Sequence, residues 1–334
     1  SAMGLHGPIL GAAEIEKEML VRTRELGALR WHSHFLGAYA LHAFGTGTAD
    51  DELISDVRAL LASDPLFRNR AAVDLALAIG LIDRGELQAA ADVIASGREF
   101  IRNDEDRSLI CVAACELAWC THDWRALETA VAEMATCNRG FFAINALAES
   151  ATIYLSLEQR RAPSIPRYPT TVMRVVDVVA TEHDAFDLWL AGDSEGAISG
   201  FVAAATEWAA RGFRRFAGRA HLGAAIAARL SEVGNGECHL AAAESIVRGQ
   251  HAVPLRAAIE RERAARAVAV VRSLLTSREF EALGLVGDGC TTADIAARLG
   301  LRESTVESHI QSARIKLGAR SRAQAASMIP AGRS

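Results

Sequence analysis

Apolar residues recur along this chain at spacings of three and four, as in helices that bury one face. Residues 14–30 carry such an amphipathic pattern. Residues 36–44 and 50–62 predict two more helices, followed by the breakers Gly45-Thr46-Gly47-Thr48 and Ser63-Asp64-Pro65. From residue 71 the pattern becomes paired. Helices are expected over 71–84 and 88–100 about a Gly85-Glu86-Leu87 turn, and over 109–121 and 125–137 about His122-Asp123-Trp124. A helix over 141–157 leads into a loop with Pro163, Pro166 and Pro169. Residues 186–191 approach the turn Gly192-Asp193-Ser194, a helix follows over 195–211, and a further turn sits at Gly234-Asn235-Gly236. After Pro254, residues 255–274 read as one long helix.

Gly85, His122 and Gly192 are equivalent turn positions, separated by 37 and 70 residues. The second interval is close to twice a repeat of roughly thirty-five, which puts the missing turn near Leu157. Gly85-Glu86 with Ala90, and Gly192-Asp193 with Ala197, share a Gly-acidic-x-x-x-Ala turn. This pattern resembles tetratricopeptide repeats. The resemblance implies a solenoid with a groove, since no single helix pair buries its apolar face alone. The rival arrangement is an irregular helical bundle without a superhelix.

The end of the chain is patterned differently. Thr276 with Glu279, Thr291 with Asp294, and Ser321 with Gln324 are spaced as capping boxes, each starting a helix. Gly287-Asp288-Gly289 and Gly300 close the first two of these; Gly318 closes a third helix between Gly300 and Ser321, and the helix begun at Ser321 is the fourth, ending before Pro330. In the third helix Val306, Ile310, Ala313 and Leu317 form one apolar stripe, and Glu307, Ser308, Gln311 and Arg314 make up the opposite face. Two helices about a tight glycine turn, the second with one apolar and one polar face, describe a helix-turn-helix, whose second helix fits the DNA major groove. Periodicity alone also permits a small helical bundle with no nucleic-acid role.

The residues themselves discriminate. LTSREFEAL, the D-G-C-T-T-x-D-I-A run, A-x-x-L-G-L, E-S-T-V-E-S-H-I and K-L-G-A-R-S-R-A-Q-A resemble, in order and spacing, the DNA-binding domain of the LuxR/FixJ family of bacterial transcription regulators. The resemblance implies a four-helix domain whose third helix reads DNA and whose fourth often supports dimerisation. Carried over by position, it puts Glu307, Ser308 and Gln311 at the bases and Thr305, Arg314, Lys316, Arg320 and Arg322 nearer the backbone. Two positions depart from the family: Arg302 stands where Ser or Thr usually caps the recognition helix, and Glu307 where Lys is usual. A carboxylate opposes phosphate neutralisation, which supplies much of DNA affinity. Helical repeats ahead of such a head resemble the MalT-like large regulators. Those also carry a nucleotide-binding domain, but no G-x-x-x-x-G-K-[ST] loop occurs here. A fragment and a stand-alone form both remain open. Receiver and acyl-homoserine-lactone domains need a sheet, and no series of β-branched strands is found.

Composition fits this division. The chain has 334 residues, 50% of them hydrophobic, too many for the head alone, so two domains are expected, at 1–272 and 273–334. Of the net charge of −5, residues 275–334 contribute +2, from eight basic and six acidic side chains, and the remainder −7. The sign suits a DNA-binding head on an acidic body, though +2 is modest. No run of eighteen apolar residues implies a membrane span. Ser1-Ala2-Met3 looks like a tag remnant, and six cysteines without a secretory signal point to the reducing cytoplasm.

Other candidate chemistry is sparse. Cys111, Cys115, Cys120 and Cys137 cluster in sequence but lack the paired C-x-x-C spacing of zinc sites. His32 and His34, two apart on a helix, point away from each other. No catalytic constellation, metal site or cofactor is expected. Arg211, Arg214, Arg215 and Arg219, interleaved with Phe213 and Phe216, could hold an anionic ligand or acidic peptide in a groove; the simpler expectation is a solvated helix face. The sequence therefore predicts an all-α regulator. A tetratricopeptide-like body takes a small-molecule or protein effector, and a luxR-type head binds double-stranded DNA as a homodimer. The alternative is an interaction scaffold whose helix-turn-helix binds DNA poorly.

Overall fold

The computed structural model describes residues 9–46, 50–63, 70–137, 142–160, 174–234 and 236–329. These are helical throughout, with no strand among them. The chain divides into two compact units, Ser1–Ile259 and Glu260–Ser334.

The first unit contains α1 (Ile9–Glu25), α2 (Leu29–Thr46), α3 (Asp51–Ser63), α4 (Arg70–Arg84), α5 (Leu87–Arg98), α6 (Asp104–Thr121), α7 (Trp124–Ala135), α8 (Phe142–Gln159), α9 (Arg174–Leu190), α10 (Ser194–Ala210), α11 (Arg214–Leu230) and α12 (Glu237–Ile246). The division between units falls inside α13 (Val253–Leu274). The four expected turns are present. Gly85, His122, Gly192 and Gly234 all adopt the left-handed conformation, with φ of 81°, 56°, 87° and 69°. His122 carries a side chain in that strained region, and Asp123 behind it caps α7 by accepting a hydrogen bond from Ala126 N at 2.9 Å. The proline-containing loop lies outside the described residues.

Several elements differ from expectation. The first helix ends at Glu25, where Gly27 (φ 62°) turns the chain, and α2 starts at Leu29 and runs through Gly45 to Thr46. Residues 186–190 are the end of the longer helix α9, and Ala191 belongs to the turn that follows. Helix α11, which the sequence announces only as an arginine cluster, is one of the most enclosed helices of the body. Helices α2, α4, α6 and α8 form a row in which each packs on the next, with α5 and α7 packing against them. Helix α11 packs on α2, α8, α10 and α12, and its arginines reach side chains of α4, α6 and α8. Its composition makes this feasible. Gly218, Gly223 and six alanines let neighbouring helices approach from several sides. A Cβ at Gly223 would stand 2.5 Å from the fully buried Tyr154 ring. The alanine-rich sequence thus becomes close helix packing, around a core that includes Trp119, Tyr154, Phe186, Phe201, Trp208 and Phe216.

The second unit contains the last turns of α13, then α14 (Ser277–Gly287), α15 (Thr292–Leu299), α16 (Glu303–Lys316) and α17 (Arg322–Ser327). Its core joins Val271, Leu275, Ala282, Leu283, Ile295, Val306, Ile310, Ala313, Ala325 and Ile329. No helix among the described residues is long and apolar enough to cross a membrane.

Candidate nucleic-acid interface

The starts of α14, α15 and α17 follow from their caps. Thr276 and Glu279, and Thr291 and Asp294, form reciprocal capping boxes. At Ser321 the hydroxyl accepts from Gln324 N at 3.0 Å, but the Gln324 side chain accepts through Oε1 from Arg320 N at 2.7 Å, so the box is not reciprocal. Between α15 and α16 the chain turns at Gly300, whose φ of 66° suits a residue without Cβ. Leu301 N then bonds Ala296 O at 2.9 Å, closing the tight connection.

Helix α16 presents two opposite faces. Val306, Ile310 and Ala313 are buried and Leu317 is half-buried. At about 100° of turn per residue, the side directly opposite carries Ser304, Ser308, Gln311 and Ile315, all exposed. Glu307 falls on a flank, about 90° from the buried stripe, beside Glu303 and Arg314. Thr305, Ser312 and Lys316 occupy the other flank.

Glu279 of α14 fixes that second flank. It is 3% exposed and accepts from Thr276 N at 2.7 Å, from Ser312 Oγ at 2.5 Å and from Lys316 Nζ at 2.7 Å. Burial alone would raise its pKa. The bonds from Lys316, Ser312 and Thr276 outweigh it and bring the carboxyl down from 4.5 to about 2. One buried carboxylate therefore caps α14 and anchors the last turns of α16.

This head matches the description "bacterial regulatory proteins, luxR family" over residues 273–329. Spore germination protein GerE of Bacillus subtilis (strain 168) is 44% identical over 54 residues, which are 16% of this chain and 73% of that protein. The chain belongs to the luxR family. Its segment 273–329 is a luxR-family DNA-binding domain of transcription regulators. No solved structure matches the chain.

The residues singled out from sequence distribute unevenly over this luxR-family domain. Ser308 and Gln311 lie on the outward face and Glu307 on its flank, all exposed. Thr305 is half-buried. Arg314 donates to Arg320 O at 3.4 Å, and Arg320 is exposed. Lys316 is held by Glu279, and Arg322 donates to Thr292 Oγ1 at 2.8 Å and Cys290 O at 3.3 Å, tying α17 to the start of α15. Arg302, at the N-cap of α16, makes no side-chain cap bond. Ile315 was not singled out, although its place seven residues after Ser308 puts it in line with the polar face.

The four arginines of the body separate. Arg214 is exposed, and Arg211 pairs with Glu207 one turn away at 2.8 Å. Arg215 and Arg219 lie inside rather than on a solvated face. Arg215 reaches Glu116 at 2.8 Å and Asp83 at 3.4 Å. Arg219, 1% exposed, donates to Glu116 at 2.9 Å and Ser150 at 2.9 Å, and lies near the rings of Trp119, Tyr154 and Phe216. Nearby, Tyr154 OH and Trp208 Nε1 both donate to Glu182 at 2.8 Å. Cys111, Cys115 and Cys137 are buried, and desolvation pushes the Cys111 thiol up to about 12. No group of three or more His, Cys, Asp or Glu among the described residues could hold a metal ion.

Proposed function

We propose that this chain is a cytoplasmic bacterial transcription regulator whose helical body senses a small molecule or a protein partner and controls a head that binds double-stranded DNA as a homodimer. One observation carries the DNA-binding geometry: the side of α16 opposite its buried stripe is exposed and mostly polar, the arrangement a major-groove helix needs. Ser308 and Gln311 would meet base edges. Glu307 and Arg314 would lie toward one wall of the groove, with Thr305 and Arg320 toward the backbone. Lys316 and Arg322 would act partly by fixing the helices that present the others, since both are engaged within the head. In the body, three of the four arginines considered for an effector are engaged by the chain's own carboxylates: Arg215 and Arg219 by the buried Glu116, and Arg211 by Glu207. Of these, Arg211 and the exposed Arg214 are the ones an external anionic ligand would reach. No catalytic step or cofactor enters this scheme.

The test is a titration of the full chain on duplex DNA across a salt series. Sequence-dependent binding, with log affinity falling linearly with log salt, is the expected result. A second reading is favoured by the exposed pair Glu303 and Glu307 on one flank of α16. There the head binds DNA weakly and the chain serves as an interaction scaffold. Binding that stays weak on every duplex at low salt supports that reading.

A further inference from the structure

The outward face of α16 ends in an apolar residue. Ile315 is 67% exposed, more than any other large apolar side chain of α14–α17. It follows Gln311 by four residues, Ser308 by seven and Ser304 by eleven, so these four side chains stand within a strip about 60° wide. That strip is opposite Val306, Ile310, Ala313 and Leu317. Ile315 therefore contributes nothing to the core of the head. The charged ends of its chain neighbours are drawn elsewhere: Lys316 to Glu279, and Arg314 to the carbonyl of Arg320.

In the major groove, base edges offer hydrogen-bonding atoms and one apolar group, the C5-methyl of thymine. Ser304, Ser308 and Gln311 can serve only the former, and Ile315 only the latter. We propose that Ile315 is a specificity-determining residue that reads thymine through its C5-methyl group. The inference rests on the placement of α16 in the groove and deepens it. From Ser304 to Ile315 the helix rises about 16 Å, comparable to roughly five base steps of 3.4 Å. Ile315 thus reads one end of a half-site, and the hydroxyl and amide side chains read the rest.

The experiment uses the full chain and a site enriched from random duplex. Each thymine of that site is replaced in turn by deoxyuridine, which lacks only the methyl group, and affinity is measured for wild type and Ile315→Ala. At one position per half-site the wild type should weaken about three- to fivefold, the worth of one buried methyl-sized group. Ile315→Ala should bind thymine and uracil duplexes alike there, with unchanged melting temperature and oligomeric state. Sequence-specific binding with no methyl-sensitive position, or with the sensitivity retained in Ile315→Ala, overturns the proposal but leaves the groove placement standing. A change of oligomeric state in Ile315→Ala also overturns it, because the residue is then a subunit contact. Failure to enrich any sequence removes the groove placement and the proposal together.

Discussion

Lys316 Nζ lies 2.7 Å from Glu279 Oε2, so the last turn of α16 is tied to the first turn of α14. Glu279 is almost fully buried, whereas Lys316 is 39% exposed. The same carboxylate also closes the cap of α14, so one side chain fixes both where that helix starts and how α16 is held against it.

Glu279→Gln should therefore loosen both helices at neutral pH. The depression from 4.5 to about 2, discounted for the solvent around Lys316, corresponds to about 2 kcal/mol. Because the folded-state pKa is lowered, this stability is present above about 4.5 and is lost as pH falls toward 2. Hydrogen exchange over residues 277–316 should be faster in Glu279→Gln at pH 7, and the difference should shrink below pH 4. A gap that stays constant down to pH 2.5 would falsify the ionic role of Glu279.

In the body, Glu116 is fully buried between Arg215 and Arg219. Removing it leaves two buried guanidiniums short of their counter-charge. Glu116→Ala should cost about 3–5 kcal/mol, read from denaturant unfolding. Replacing Glu116, Arg215 and Arg219 together by apolar residues of similar size should cost much less, because the desolvation penalty disappears with the charges. If the triple replacement is at least as damaging as Glu116→Ala, the network contributes net stability that an apolar core does not supply.

Asp74 and Asp83 give the body the opposite pH dependence. Burial raises both to about 6, only partly offset by Arg70 and Arg215 respectively. The folded chain then holds protons that the unfolded chain releases near pH 4. Stability from these groups is present below their unfolded values and declines as pH rises through about 6. Asp83→Asn should flatten the fall in unfolding midpoint between pH 4 and 7. An unchanged slope would assign the effect to other groups.

The legible parts of this chain were those set by local rules. The capping boxes at Thr276 and Thr291 and the four turns at Gly85, His122, Gly192 and Gly234 depend on residues only a few positions apart. The buried stripe of α16 follows from helical period alone. Arg215 and Arg219 were not legible in the same way, because their partner Glu116 lies 99 and 103 residues away. A run of arginines looks the same in sequence whether it faces water or a buried carboxylate. Glu279 was legible as a cap, but its second role depends on Ser312 and Lys316, 33 and 37 residues further on. Ile315 is placed by the period, but an apolar residue on a helix is first assigned to a core.

Glu307 stands where the luxR-family resemblance implies lysine. In α16 it is exposed on the flank between the buried stripe and the outward face, one turn after Glu303. With the helix in the major groove, that flank approaches one phosphate wall, while the carboxylate can still accept a hydrogen bond from a cytosine amino group. On this placement Glu307 would lower affinity for any duplex and retain a means of choosing among sequences. Glu307→Lys reverses one charge. It should tighten binding to random duplex by roughly 1–2 kcal/mol at low salt, steepen the salt dependence by about one to two counterions, and lower the ratio of specific to non-specific affinity. Both proteins are to be titrated on an enriched site and on random DNA over the same salt series. Unchanged random-duplex affinity and salt slope would mean that Glu307 lies away from the phosphates, and α16 would then have to be rotated or withdrawn from the groove.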